Sequence, residues 1–173
     1  MTKNEFLFGC EKFGRLKRVL LHRPGKELQL INKDNYKKWL FDRVPVPSKY
    51  IEEHQRYEEF LKKFDVEVYQ LSDFVSSSKK MISQMPNLTF LHDTAVVSTK
   101  GAFLSQMAWD GRRNEHLVVK EALQKLDIPI LHEFDSIDDA FEGCLLLSHD
   151  TILVAETERH KRHSIEKFIK KAS

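Results

Sequence analysis

Residues 66–71 read Val-Glu-Val-Tyr-Gln-Leu, and this alternation of apolar and polar side chains is typical of a strand with one buried face. The stretch before it repeats apolar side chains at helical spacing, which predicts a helix from 48 to about 65 with Ser48 as its N-cap. The apolar face of this helix is predicted to consist of Ile51, Tyr57, Phe60, Leu61 and Phe64.

The same two periodicities divide the rest of the chain. A strand is predicted at 16–22, stopped by Pro24-Gly25, and a short helix at 33–41. Residues 72–85 form a connection with one helical turn. Further on, strands are predicted at 88–90, 94–98, 102–106, 128–133, 145–147 and, after a turn at His149-Asp150, at 151–155. Helices are predicted at 112–126 and 158–171, the latter with Ile165, Phe168 and Ile169 on one face.

The order strand, strand, helix, strand recurs at a spacing near fifty residues, which indicates a propeller or an array of similar units. The last unit ends on its helix without a closing strand. An apolar face and a sheet edge would therefore be exposed unless another part of the protein covers them. Three arrangements would supply one. The chain is a piece of a larger enzyme, it pairs with a second chain, or its last helix folds over the gap.

Composition narrows the class of protein. A length of 173 residues, of which 41% are hydrophobic and 31% charged, predicts one soluble domain that is large enough to bury a hydrophobic core. A net charge of +2 gives no electrostatic case for nucleic acid or an anionic membrane, and no apolar run approaches the roughly 20 residues that span a bilayer. We therefore expect a cytoplasmic protein. Two cysteines, Cys10 and Cys144, are interpreted as small core residues.

One carboxylate stands out because of its apolar neighbours. Asp93 follows Phe90 and Leu91, and burying an ionised carboxylate costs several kcal/mol unless a cation or several donors meet it. Two arginines, Arg112 and Arg113, come shortly afterwards. A carboxylate near a pair of guanidinium groups predicts a site for a zwitterion. We expect no metal or other cofactor, since the histidines do not have the spacing of metal ligands. His160 and His163 lie three residues apart, but with Lys161 and Arg162 between them they are interpreted as part of a solvated basic face.

Seven short motifs follow one another in an order that can be compared with known families. They are Leu-Lys-Arg-Val-Leu-Leu-His-Arg-Pro-Gly at 16–25 with Leu28, Leu-Phe-Asp-Arg-Val-Pro at 40–45, Glu53-His54, the strand at 66–71, Met85-Pro86-Asn87 with Phe90 and Asp93, Met107 with Arg112, Arg113 and Glu115, and Leu-Ser-His-Asp at 147–150 with Arg159. Together they resemble the N-terminal part of the arginine deiminase family, within the guanidino-group-modifying, amidinotransferase or pentein, superfamily.

The resemblance implies an α/β propeller of five ββαβ units, of which residues 1–173 would form about three as a single domain truncated before the final catalytic units. It also implies a reaction. A cysteine thiolate attacks the guanidinium carbon of arginine, ammonia leaves, and water releases citrulline. Carboxylates hold the guanidinium because its planar fork of donors fits them bidentately. The resemblance assigns this role to Asp93 and Glu142, and substrate binding to Asn87, Arg112 or Arg113, and Arg159.

The sequence also departs from the family. Glu142-Gly143-Cys144-Leu145 stands where the family has Glu-Gly-Gly-Asp, and the connection 72–85 replaces a large helical insertion. The family's nucleophilic cysteine and His-x-Asp element lie beyond Ser173. Two hypotheses follow. The chain is the substrate-binding portion of an arginine deiminase-like hydrolase, completed by a complementing C-terminal part. Alternatively, it is a non-catalytic ligand-binding or protein-interaction module that forms a homo-oligomer. The arginines favour arginine over agmatine as the ligand.

Overall fold

A computed structural model describes residues 8–9, 14–148 and 151–172 of the chain. Cys10 and the predicted turn at His149-Asp150 lie outside these ranges. Eleven helices and strands alternate along the described part. They are β1 (Arg18–Leu21), α1 (Pro47–Lys62), β2 (Glu67–Gln70), α2 (Lys79–Ile82), β3 (Ala95–Ser98), β4 (Gly101–Leu104), α3 (Glu115–Lys125), β5 (Ile130–Glu133), β6 (Leu145–Ser148), β7 (Thr151–Leu153) and α4 (Arg162–Ala172).

The central unit contains the full order of strand, strand, helix and strand. β3 and β4 pair antiparallel through a tight turn, and β5 returns through α3 to lie parallel to β4. Gly101 opens β4 at a φ of 145°, and a side chain there would meet the carbonyl oxygen of Pro129 at 2.5 Å. This position therefore requires glycine. The predicted α/β fold class is confirmed, with the repeat complete in this unit.

The flanking sheets each show part of the same order. β1 and β2 lie parallel and are joined through α1, whereas β6 and β7 form an antiparallel pair followed by α4. α4 packs back on the central unit, because the Phe168 ring lies 4.5 Å from that of Phe103 and 5.0 Å from that of Phe141. The second and third units therefore share a core.

Two apolar clusters hold the elements together. The first lies between α3, β4 and the connection 71–88, with Leu71, Leu88, Leu104 and Val118 fully buried. The second is aromatic and contains Phe103, Phe134, Phe141, Phe168 and Cys144. The prediction that Cys144 is a small core residue is confirmed. Full burial of a large apolar side chain contributes about 1.5–3 kcal/mol, so these clusters fix the framework on which the polar residues below are placed.

The short helix predicted at 33–41 is wrong, because this stretch forms consecutive turns. Side chains compete for the backbone at its start: the Asp34 N–H donates to Asn32 Oδ1 at 2.9 Å and the Asn32 N–H to Asn35 Oδ1 at 2.8 Å. Such local bonds offer the backbone an alternative to a helix. Leu40, at a φ of 60°, ends any continuation.

The strand predicted at 88–90 is also wrong. The Leu88 N–H donates to the Met85 carbonyl at 3.1 Å and the Phe90 N–H to the Asn87 carbonyl at 2.9 Å, so the chain turns here and enters a 3-10 turn at Leu91–Thr94. α1 begins at Pro47 with Val46 as its N-cap, and Ser48 is not the cap. Proline suits the first helical position because the missing N–H has no intrahelical partner there.

The burial of α1 differs from the prediction. Leu61 is buried, but Tyr57, Phe60 and Phe64 are about half exposed. The buried face instead carries Glu58, which accepts from Arg23 Nε at 2.9 Å and lies 3.1 Å from His54 Nδ1. The buried face of α1 therefore carries an ion pair as well as Leu61. On α4, Phe168 is buried as predicted whereas Ile169 is exposed.

Within the described ranges, no helix combines the length and apolar character needed to cross a membrane.

Candidate functional site

A cavity of about 240 Å³ lies where the turns that precede β3, α3 and α4 meet. Leu40, Phe41 and Phe90 give it apolar walls, and the polar side chains come from four residues that the sequence singled out. These are Asn87, Asp93, Arg112 and Arg159. The structure thus brings together residues from stretches more than seventy positions apart in the sequence.

Asp93 is positioned by the 3-10 turn at Leu91–Thr94, in which its N–H donates to the Phe90 carbonyl at 3.2 Å. Its side chain is 26% exposed and opens on the cavity. Arg112 Nη1 donates to Asp93 Oδ2 at 2.6 Å, within the range of a charge-assisted hydrogen bond. The sequence predicted a cationic partner for this carboxylate, and the partner is Arg112.

Arg112 is itself held by a second carboxylate. Its Nε and Nη2 atoms both donate to Glu115 Oε2, at 2.9 and 2.8 Å, and Nη2 also lies 3.3 Å from the Phe90 carbonyl. Arg112 is 3% exposed and Glu115 is completely buried. Burial lowers the pKa of Arg112, but the bonds to Glu115 and Asp93 outweigh it and raise the pKa overall.

Burial also dominates at Glu115, where it raises the pKa of the carboxyl to about 7 against the opposing effect of Arg112. Sequence reasoning did not assign Glu115 to the site. The available signal was its spacing of three residues from Arg112, which places the two side chains on one face of a helical turn.

Arg113 points elsewhere. It forms an ion pair with Asp110, whose side chain is 79% exposed, and it does not contribute to the cavity wall. Of the two adjacent arginines that the sequence could not separate, Arg112 is therefore the one beside Asp93.

Glu142 approaches the site from the loop before β6. It is 3% exposed, its Oε1 accepts from the Ala108 N–H at 3.1 Å, and its Oε2 lies 3.4 Å from Arg159 Nη1. Burial raises the pKa of its carboxyl. The Gly143 N–H donates to the Asp93 carbonyl at 2.8 Å. This bond ties the backbone beside Glu142 to that of Asp93, so the two predicted carboxylates lie on adjacent segments.

Asn87 joins the cavity to the stretch that covers it. Its Nδ2 donates to the Trp39 carbonyl at 2.9 Å, and Trp109 Nε1 donates to the Lys38 carbonyl at 2.6 Å. These bonds hold Leu40 and Phe41 over the opening. Asn87 Oδ1 is buried and has no hydrogen-bond partner among the residues that the structure describes. A ligand that carries a donor would satisfy it.

The arrangement suits a cation that also carries an anionic group. Asp93 offers carboxylate oxygens and Arg159, with its side chain 47% exposed, offers guanidinium N–H groups at this cavity, while the buried Glu142 pairs with Arg159 at 3.4 Å. In the described part of the chain, no three His, Cys, Asp or Glu side chains are grouped as a metal site requires.

A family model confirms what the motifs suggested. The model for arginine deiminase matches residues 74–172, which is more than half of the chain. The chain belongs to the arginine deiminase family. Among curated relatives, the arginine deiminase of Borrelia duttonii is 24% identical over 238 aligned positions, which cover 92% of this chain and 58% of the relative. That of Streptococcus uberis is 27% identical and covers 83% of this chain and 31% of the relative. The chain thus spans at most about three fifths of either relative.

Solved structures agree with the family on the fold. A dimethylarginine dimethylaminohydrolase from Pseudomonas aeruginosa, a mutant complexed with citrulline, superposes with a TM-score of 0.67 at 15% identity, covering 91% of this chain and 56% of that one. A second dimethylarginine dimethylaminohydrolase, an adduct with S-methyl-L-thiocitrulline, gives a TM-score of 0.66 at 16% identity with nearly the same coverage. This arginine deiminase family chain therefore shares their α/β fold.

The described part of this family member contains one cysteine, Cys144. It is 7% exposed, and burial raises the pKa of its thiol to about 11. Covalent catalysis requires the thiolate, which such a thiol does not supply at neutral pH. Cys144 is therefore a core residue and not a nucleophile.

Proposed function

We propose that this chain supplies the guanidinium-binding portion of an arginine deiminase-like hydrolase. The observation that carries the proposal is the cavity in which Asp93 and Arg159 face a common space, with Glu142 beside Arg159. A carboxylate and a half-exposed guanidinium at one cavity complement the two ends of arginine. Membership of the arginine deiminase family supports this reading of the site.

Each residue has a distinct role in the proposal. Asp93 and Glu142 accept from the guanidinium of arginine, because carboxylates meet that planar fork with good geometry. Arg159 meets the ligand carboxylate, with Arg112 close by, and Asn87 Oδ1 accepts from the ligand ammonium. Arg113 pairs with Asp110 and has no role in the proposal.

The proposed net reaction is arginine plus water to citrulline plus ammonia. A thiolate adds to the guanidinium carbon and expels ammonia, and water then cleaves the carbon–sulfur bond. Cys144 cannot supply that thiolate, and the proposal assigns the cysteine and histidine to a complementing part, as the family resemblance implies. We treat residues 1–173 as one pentein domain within such an enzyme.

Ligand-dependent thermal stability tests the binding step directly. L-arginine at millimolar concentration is expected to raise the melting temperature of the wild-type chain, because a ligand that binds the folded state stabilises it by mass action. Asp93→Asn should abolish the shift, Arg113→Ala should retain it, and agmatine should give a smaller one. An equal shift for wild type and Asp93→Asn would overturn the proposal.

A second candidate function is a self-associating binding module, and the surface of α1 favours it. Phe60 and Phe64 are 56% and 59% exposed and, with Leu16, line an open apolar cavity of about 470 Å³. Arg15 also lines this cavity and forms an ion pair with Asp65 at 3.8 Å, so charged groups border the apolar surface. Sedimentation velocity that shows a monomer, unchanged in Phe60→Ser, would rule out this candidate.

A further inference from the structure

Two carboxylates, Glu115 and Asp93, share the positive charge of Arg112, and the role that we assign to Glu115 rests on the proposed function. We propose that Glu115 is a positioning residue that takes up the charge of Arg112 and thereby leaves Asp93 able to bind the cationic group of a ligand.

The contacts of Arg112 are unequal. It gives two hydrogen bonds to Glu115, at 2.9 and 2.8 Å, and one to Asp93, at 2.6 Å. The Phe90 ring also lies against the guanidinium, with its centroid 6.0 Å from Cζ. These contacts hold Arg112 between the turn before α3 and the turn before β3, so its positive charge is shared between Glu115 and Asp93.

The burial of Arg112 and Glu115 determines how this arrangement affects ligand binding. Arg112 and Glu115 are almost inaccessible, so water does little to screen them, whereas Asp93 opens on the cavity. With Glu115 ionised, the three groups carry a net charge of −1, and its only accessible site is Asp93. With Glu115 neutral, the group has no net charge, and a guanidinium would have to compete with Arg112 for the same carboxylate.

The ionisation of Glu115 is set by groups on three segments. Arg112 faces it from the turn before α3 and favours the charged form, whereas Asp93 and Glu142 face it from the turns before β3 and β6 and disfavour that form. Together with burial they raise the pKa to about 7. A guanidinium bound at Asp93 adds a positive charge nearby, which stabilises ionised Glu115. Binding should therefore release a proton below that pKa, and affinity should rise with pH.

Calorimetry of the full chain with L-arginine tests this from pH 5.5 to 8.5. Below pH 7, titration in MES and in Bis-Tris, which both buffer there and whose ionisation enthalpies differ, counts the protons exchanged. The expected result for wild type is release of up to one proton per ligand below pH 7, with affinity falling by up to tenfold per pH unit in that range. Glu115→Gln should show no proton release and bind at least tenfold more weakly at pH 8. Asp110→Asn, which removes an exposed carboxylate beside Arg113, should match wild type.

The outcomes separate this inference from the proposed function. Arginine that binds through Asp93 without proton release, or equally well to Glu115→Gln, would overturn the role of Glu115 and leave the guanidinium site intact. Absence of arginine binding to wild type at every pH would overturn both. If Glu115→Gln does not fold, the proton count of Glu142→Gln decides between the two buried carboxyl groups: release that persists supports Glu115, and release that disappears overturns its role. A purely structural role for Glu115 would change stability without producing a proton release.

Discussion

Gly143 contacts the backbone of His92 so closely that a Cβ atom at position 143 would lie 1.9 Å from the His92 carbonyl oxygen. At the same point, the Gly143 N–H donates to the Asp93 carbonyl at 2.8 Å. The close approach therefore requires glycine for lack of space, and it couples the backbone of the two predicted guanidinium-binding carboxylates.

Gly143→Ala tests this coupling. Because the obstacle is backbone, the chain must separate the two segments, and we expect a loss of at least about 1–3 kcal/mol of unfolding free energy. Urea denaturation measures it. Gly111→Ala is the matched control, because a side chain there meets the ring of Trp39 at 3.0 Å, which can move. An equal or larger loss for Gly111→Ala would contradict the argument.

Arg112→Ala should lower the unfolding free energy much more than Arg113→Ala, although the two positions are adjacent. Removal of Arg112 leaves buried Glu115 without its cation, and breaking a buried pair of this kind typically costs about 3–5 kcal/mol. Arg113 pairs with the exposed Asp110, so its loss should cost less than about 1 kcal/mol. Chemical denaturation of both variants at pH 8 provides the comparison. Similar losses of unfolding free energy in the two variants would mean that burial does not determine the contribution of Arg112 to stability.

The pH dependence of stability should carry the signature of Glu115. Its pKa is about 7 in the folded state against an ordinary value of 4.5, so the folded state binds the proton more tightly. The stabilising effect of that proton is present at low pH and is lost as pH rises from about 4.5 to about 7. A shift of this size corresponds to about 3 kcal/mol.

A comparison with Glu115→Gln isolates this contribution from the other titrating groups. Between pH 4 and pH 8, wild type should lose about 3 kcal/mol of unfolding free energy relative to the variant. Urea denaturation at several pH values gives the difference. A constant difference across this range would show that Glu115 does not titrate there.

A different glutamate anchors the connection between β2 and β3. Glu121 accepts hydrogen bonds from the N–H groups of Ser76, Ser77 and Ser78 and from two of their hydroxyl groups. These bonds lower the pKa of its carboxyl, with the Ser78 hydroxyl as the largest cause. The stabilisation is present above the ordinary pKa and is lost as pH falls toward the lower folded value.

Glu121→Ala should therefore release these three amides. Hydrogen exchange at 76–78 is expected to accelerate at neutral pH while exchange in β4 stays slow, since β4 belongs to the apolar core. Lys79→Ala, on the same connection, serves as a control. Unchanged exchange at 76–78 in Glu121→Ala would show that other contacts hold this stretch.

The sequence predicted most of the regular elements, because strands such as 66–71 and helices such as α3 bury one face and so carry the corresponding period. It failed where side chains redirect the backbone, as Asn32 and Asn35 do at the start of 33–41. It predicted the helix α1 but not its whole buried face, since the ion pair between Arg23 and Glu58 on that face spans 35 residues and has no local signature. Long-range polar pairing can override a hydrophobic pattern.

The residues of the candidate site were likewise predicted only in part. Asp93 was predicted from an ionisable residue among apolar neighbours, and its cation was found where expected. The sequence could not predict which of Arg112 and Arg113 faces the site, because the side chains of adjacent residues on a turn differ only in the direction in which they point. Glu115 was missed as a site residue because a glutamate in the first turn of a helix is also the ordinary choice for capping and dipole reasons.

The cavity wall draws on segments as distant as Leu40 and Arg159, with Asp93 and Arg112 between them. Recognition of a small molecule by this chain would consequently report on the docking of all three units at once. A substitution that loosens any one of them, even at a remote position in the aromatic cluster, should weaken binding through the fraction of molecules in which the pocket is assembled. Ligand affinity would then serve as a gauge of cooperative folding.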